Sequence, residues 1–224
     1  MAVALVLAAG EGQRLGYPMP KALVPVYGRP MLEWSVEALR AVPEVEAIIV
    51  ALPAEHLSSA PRGTIPVAGG RVRSESVQAA LRGADATAAN VIVHDAARVL
   101  ASSRLFGDAL ALLGSSGADC VVAATAVTDT VKRALASDAS GALRVSETLD
   151  RSQLWAVQTP QVFQRAVLER ALDVSVETLA EATDDAWLVE RAGGSVVVLP
   201  TPAENFKITT PLDLQLAELI LSAR

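Results

Sequence analysis

The chain predicts an α/β fold, a single three-layer domain around a mainly parallel, twisted sheet. Three observations lead there. Short β-branched runs that are almost wholly apolar alternate with stretches of helical periodicity, the pattern of strands buried on both faces and joined by crossover helices. With 224 residues and 51% hydrophobic content the chain can build one domain with a sizeable core, spanning 1–224. A turn-rich excursion at about 127–152 breaks the alternation once and reads as an arm protruding from that domain.

The strand signals are VALVLA at the start, AIIVAL at 47–52, TIPVAG at 64–69, NVIVHD at 90–95, DCVVAA at 119–124 and SVVVLP at 195–200. Between them, Pro30 suits the first turn of a helix carrying Leu32, Val36 and Leu39. Val77, Ala80, Leu81 and Ala84 recur at helical spacing and make a second crossover. At the end, Thr210 can cap a helix with Pro211 at its first position, and Leu212, Leu216, Leu219 and Ile220 are expected to form the stripe that docks on the core. In the excursion, TDTVKR and LRVSETL flank the turn-rich SDASG and read as a β-hairpin. A lone two-stranded ribbon is only marginally stable in water, so this arm is expected to pair with a second copy and give a homodimer. Arg151, at the hairpin's return, then reaches a neighbouring subunit's pocket; the alternative is a solvated surface hairpin.

Composition excludes several classes. A formal net charge of −6 disfavours a nucleic-acid polymer as partner but leaves room for a small anionic substrate in a local positive pocket. The single cysteine, Cys120, sits in the apolar run CVVAATAV and reads as a buried, inert thiol in a reducing cytoplasm. No apolar run reaches the roughly 18 residues of a membrane span, and the N-terminus lacks the basic start of a secretory signal. Two histidines are too few for a zinc cage without carboxylates, and no GxSxG elbow is present.

The densest chemical signal is LAAGEGQRLGYPMPK, from Leu7 to Lys21, directly after the first strand. Gly10 and Gly12 let successive backbone N–H groups approach phosphate oxygens, and Arg14 and Lys21 supply full positive charge. The dinucleotide fingerprint is broken, since Leu15 stands where its third glycine belongs and Pro18 and Pro20 prevent immediate helix formation. The Walker pattern is absent, because the chain has no Gly-Lys pair. In an open α/β sheet ligands gather beyond the carboxyl ends of strands. There, GGRVRSES offers Gly69, Gly70 and Ser76 to a base or ribose, or else is a plain glycine turn and helix start. HDAAR offers Asp95 to a hydrated Mg²⁺ or a substrate hydroxyl and Arg98 to a phosphate, or else is a helix cap and a surface arginine. Lys207 precedes the last helix, where exposure is the default.

Taken together, these blocks resemble the 2-C-methyl-D-erythritol 4-phosphate cytidylyltransferases of the non-mevalonate isoprenoid pathway. LAAGEGQRLG with PK, AGGRVRSESV, VHDAAR, VTDTVKR, DRSQLWAVQTPQVF, ATDDAWLVE and FKITTPLDL follow the family's order and approximate spacing over nearly the whole chain. The resemblance implies a Rossmann-like, GT-A-like nucleotidyltransferase fold with the hairpin as a dimerisation arm. It implies transfer of CMP from CTP to methylerythritol phosphate with Mg²⁺ as cofactor. Arg14 and Lys21 would then stabilise the transition state, and Lys207 with a partner subunit's arginine, carried at position 151, would position the acceptor. Asp95, Arg98, Thr130, Thr159 and Thr183 would line the acceptor's pocket, with Asp95 the metal ligand; Ala8, Ala9, Gly10, Glu11, Gly12, Gly70 and Ser76 would meet CTP. Departures from the family pattern fall at Gln13, Val99 and Asp185, and none removes a charge assigned to chemistry. Three other readings stay open: a cytidylyltransferase for another alditol phosphate such as ribitol 5-phosphate, an NAD(P)-dependent reductase on a similar sheet, and a non-catalytic nucleotide sensor.

Overall fold

The computed structural model describes residues 1–10, 12–85, 87–136 and 142–224. Six of its strands match the six apolar runs to within two residues: β1 (Ala2–Leu7), β4 (Val45–Leu52), β5 (Ile65–Ala68), β6 (Asn90–Asp95), β7 (Cys120–Ala126) and β11 (Val196–Pro200). Before β4, the short strands β2 (Pro25–Val26) and β3 (Arg29–Pro30) make a small ribbon whose turn residues, Tyr27 and Gly28, both have positive φ, as a tight two-residue hairpin turn requires. The arm is a separate antiparallel pair, β8 (Lys132–Ala136) and β9 (Leu143–Thr148). Its expected tip, SDASG, lies outside the described residues, as does Glu11.

One further strand, β10 (Trp155–Gln164), was not among the sequence expectations. It sits in the middle of the seven-stranded sheet, whose order is β11-β7-β10-β6-β1-β4-β5, and runs antiparallel to both neighbours. Pro160 and the polar Gln158, Thr159 and Gln161 hide it, because a proline cannot donate to a central ladder. The structure accommodates the proline in a register break between Val157 and Gln161, where pairing with β7 lapses.

Helices cover both faces. Residues of each strand alternate between the two sides, so Val3, Leu5, Ile49 and Val93 meet α2 (Arg73–Arg82), α4 (Arg165–Leu172), α5 (Val176–Glu181) and α6 (Asp185–Arg191). Ala4, Val6, Val50 and Ile92 instead face α1 (Met31–Arg40) and α3 (Ser103–Ser116). A third, smaller cluster lies under α7 (Pro211–Ser222), where Leu214, Ala217 and Leu221 pack with Val24, Met31 and Ile208. The docking stripe expected for α7 is therefore corrected: Leu212, Leu216 and Leu219 are exposed. The helix is apolar around most of its circumference, so leucine spacing could not select the face; the smaller Ala217, which permits close approach, marks it.

The topology sets the site. From β1 the chain steps outward to β4 and β5, then returns to β6 on the other side of β1. At that reversal the loops leaving β1 and β6 diverge and open a crevice. Leu7 and Asp95 are register partners at the carboxyl ends of the two strands, so the glycine-rich loop and HDAAR start side by side.

Candidate active site

The crevice is a cavity of about 840 Å³ lined by residues of the loop after β1, of GGRVRSES, of HDAAR and of the segment before the last helix, among them Gly12, Arg14, Lys21, Ser76, Asp95 and Lys207. The loop after β1 folds back on itself: the Lys21 N–H donates to the Gly10 carbonyl at 3.3 Å and the Leu15 N–H to the Gly12 carbonyl at 2.8 Å. Gly12 has φ +67°, and a Cβ there would fall 2.4 Å from Cβ of Lys21. Only glycine lets the loop turn and lets the lysine pass over it. Pro20, with extended dihedrals, leads the chain back so that Lys21 lies in the cavity wall.

On the other wall, the Gly69 N–H donates to the Leu52 carbonyl at 2.8 Å. A Cβ on Gly69 would meet the Ala9 methyl at 2.4 Å, so this turn and the loop after β1 touch. The Ser76 hydroxyl accepts from the Gly70 N–H at 3.0 Å and donates to the Val72 carbonyl at 3.2 Å. These bonds shape the glycine turn. Arg71, at the cavity's edge, is tied to Glu75 by its backbone N–H at 2.7 Å and its side chain at 3.0 Å.

Asp95 is the one carboxylate on the cavity wall among the described residues. Its Oδ2 accepts from the Lys207 ammonium at 2.9 Å and lies 3.8 Å from Nε of Arg98. Its Oδ1 accepts from Nε of Arg73 at 3.4 Å. Burial raises the Asp95 carboxyl pKa, but these three cations outweigh it and hold the group well below the usual carboxylate range. Behind Asp95 lie buried, hydrogen-bonded partners. The Asp95 N–H donates to Oγ1 of Thr159 at 3.0 Å, and the same oxygen lies 3.1 Å from Nδ1 of His94. Burial drives the His94 pKa down to about 3, so the imidazole is neutral and packs edge-on against Phe106. Arg98 is buried rather than facing the cavity, and Nη1 donates to the Asn205 carbonyl at 2.8 Å.

The structure thus gathers Ala8, Ala9, Gly10, Gly12, Arg14, Lys21, Gly70, Ser76, Asp95 and Lys207 around one cavity, with Thr159 and Arg98 immediately behind Asp95. It does not bring in Thr183, which is exposed beside α6, nor Thr130 and Arg151, which are exposed at the arm. Arg151 donates to the Thr128 carbonyl of its own chain. Sequence reasoning missed Arg73, which lines the cavity and joins Asp95 to Asp185. The second arginine in GGRVRSES was the available signal.

The cavity is therefore strongly cationic in a chain whose formal net charge is −6. Crowding has a cost that falls on Lys21: burial first, then repulsion from Lys207 and Arg14, lowers its pKa to about 8 against the opposing pull of Asp95 and Asp213. Such a site binds a polyanion or two and answers to charge that moves between phosphate oxygens.

Comparison with known proteins agrees along the whole chain. The family model for 2-C-methyl-D-erythritol 4-phosphate cytidylyltransferase matches residues 2–223. A Nocardia farcinica protein of that name is 46% identical over 99% of this chain and 94% of its own; one from Synechococcus is 40% identical over 98% and 97%. The solved cytidylyltransferase from Thermus thermophilus superposes with a TM-score of 0.79 at 33% identity, covering 99% of this chain and 100% of its own. The solved 4-diphosphocytidyl-2C-methyl-D-erythritol synthase from Anaerococcus prevotii gives a TM-score of 0.82 at 28% identity, covering 99% and 98%.

Proposed function

The chain belongs to the 2-C-methyl-D-erythritol 4-phosphate cytidylyltransferase family, and on that premise we propose how the residues of its cavity divide the work. The activity is CTP-dependent cytidylyl transfer to methylerythritol phosphate in isoprenoid synthesis. A phosphate oxygen of the acceptor forms a bond to the α-phosphorus of CTP while the bond from that phosphorus to pyrophosphate breaks. CMP is thereby joined to the acceptor, giving 4-diphosphocytidyl-2-C-methyl-D-erythritol, and no side chain need act as a covalent nucleophile. The protein has to bring two polyanions together and neutralise the charge that shifts between them.

Arg14 and Lys21 take the α-phosphate and the developing charge; the backbone of Ala8 to Gly12, with Gly70 and Ser76, holds the nucleotide. Lys207 takes the acceptor's phosphate, with Asp95 on its polyol side and Thr159 and Arg98 supporting Asp95 from behind. The observation that carries this reading is the convergence of Arg14, Lys21, Asp95 and Lys207, from three separate segments, on one cavity of about 840 Å³. Mg²⁺ fits the donor set. Among the described residues no three His, Cys, Asp or Glu side chains gather to cage an ion, and a single carboxylate, Asp95, suits a cation that draws most of its ligands from phosphate and water. When bound, the ion spreads the negative charge of the triphosphate.

Arg151 and Thr130 complete the acceptor pocket from a second copy, through a homodimer built on the β8–β9 arm. Supporting this, Leu135, Leu143, Val145 and Trp155 are exposed along the arm and its root, a hydrophobic surface of the kind that marks an interface. A cytoplasmic location fits the lone reduced thiol of Cys120.

Pyrophosphate release by the purified protein, with Mg²⁺, each of the four nucleoside triphosphates, and methylerythritol or ribitol phosphate, tests the whole assignment. CTP with methylerythritol phosphate should turn over fastest; an equal or faster rate with ribitol 5-phosphate would sink the acceptor assignment.

A further inference from the structure

Arg73 stands between the cavity and a buried carboxylate, and the roles above leave it unassigned. Its Nη1 donates to Oδ2 of Asp185, the first residue of α6, whose side chain is wholly shielded from solvent and whose Oδ1 has no hydrogen-bond partner among the described residues. Its Nε donates to Oδ1 of Asp95 at 3.4 Å, while Oδ2 of Asp95 serves Lys207 at 2.9 Å and Arg98 at 3.8 Å. The two oxygens of Asp95 are thus assigned to different cations, and Arg73 alone holds the first among the described residues. A planar guanidinium fork clamped between two carboxylates has little freedom to swing. Burying a carboxylate costs free energy that an apolar residue of similar volume avoids, so packing alone does not account for Asp185.

We propose that Arg73 is a positioning residue for cytidylyl transfer: braced by Asp185, it fixes the rotation of Asp95 and, through it, the place of the Lys207 ammonium that receives the acceptor. Arg73 opens α2 directly after the Gly69–Gly70 turn, and Asp185 opens α6 two residues after Thr183. The ion pair therefore ties the nucleotide-side loop to the acceptor-side segment. The inference rests on the cytidylyl-transfer reading.

The test compares the wild type with Arg73→Lys, whose single ammonium cannot span both carboxylates, and Asp185→Asn, which keeps the shape and removes the charge. Pyrophosphate release is measured with CTP and acceptor varied separately, alongside thermal melting. Both variants should fold, keep a KM for CTP close to that of the wild type, and lose acceptor kcat/KM by on the order of tenfold to a hundredfold. The double variant should be no worse than the worse single one, because the pair acts as a unit. Unchanged acceptor kinetics in a folded variant overturns the inference, as does a defect confined to the KM for CTP, which would mean that Arg73 touches nucleotide instead. If one variant fails to fold, the other decides; if both fail, the pair is a structural bridge and the inference falls. A wild type that releases no pyrophosphate overturns the cytidylyl-transfer reading and this inference with it, whereas an active wild type with unaltered variants overturns this inference alone.

Discussion

Lys21 holds a positive charge where burial and neighbouring cations oppose it. Its pKa, lowered to about 8 by burial and by neighbouring cations, means that the side chain loses this charge as pH rises through 8. kcat/KM for CTP should fall over that range. The stability contribution runs the other way. Below pH 8 both folded and unfolded chains carry the proton, and the folded state bears the full penalty of holding it in a buried, cationic setting. Between pH 8 and the ordinary lysine value of 10.5 the unfolded chain binds more protons than the folded one, so stability rises with pH. Denaturant unfolding of wild type and Lys21→Met across that window checks the sign: the methionine variant should lack this upward slope, and an identical slope in both would assign it to another group. Lys21→Ala and Arg14→Ala should each fold normally and lose about a hundredfold or more in kcat, about 3 kcal/mol of barrier, as loss of one preorganised charge-stabilising group typically does. Near-normal turnover in a folded variant refutes the role. These two residues and Asp95 were legible from sequence because each follows a glycine-rich or apolar signal at a strand's end. Arg73 was not, since Asp185, its most buried partner, lies 112 residues away and nothing local marks the pairing.

At the scale of elements, α7 carries Lys207 into place through its cap. The Thr210 hydroxyl accepts from the Asp213 N–H at 3.3 Å, and Oδ2 of Asp213 accepts from the Thr210 and Thr209 N–H groups at 2.7 Å and 2.8 Å. This reciprocal capping box binds the segment that follows Lys207 to the helix start. Thr210→Ala should cost about 1 kcal/mol, seen as a melting temperature lower by roughly 2–4 °C for a chain of this size; an unchanged melting temperature would show that Asp213 alone suffices. The cap was readable because Thr-Pro with an acid three residues beyond the threonine is a local signal. The face that α7 buries was not, because burial is settled by the cluster beneath it. β10 failed to register for a related reason: its alternation is masked by glutamines and a proline that only a broken ladder accommodates, and its place between β6 and β7 is a property of the sheet.

At the scale of the whole molecule, the single chain builds the cavity around Arg14, Lys21, Asp95 and Lys207, while Arg151 and Thr130 sit away on the arm, exposed. A homodimer that exchanges arms predicts that active sites are shared. In such a dimer the site of one protomer uses its own Lys21 and its partner's Arg151. Lys21→Ala and Arg151→Ala should each be nearly inactive alone. When the two are unfolded and refolded together, half the dimers should be mixed, and in each mixed dimer one site combines two mutated residues while the other has neither. Statistical pairing then restores roughly a quarter of wild-type turnover, and sedimentation should report a dimer for every variant. Should the mixture stay as inactive as its components while the variants still sediment as dimers, Arg151 serves its own subunit or none. A monomeric wild type would remove the basis for arm exchange altogether, leaving the exposed Leu135, Leu143 and Val145 as an apolar surface in need of another explanation.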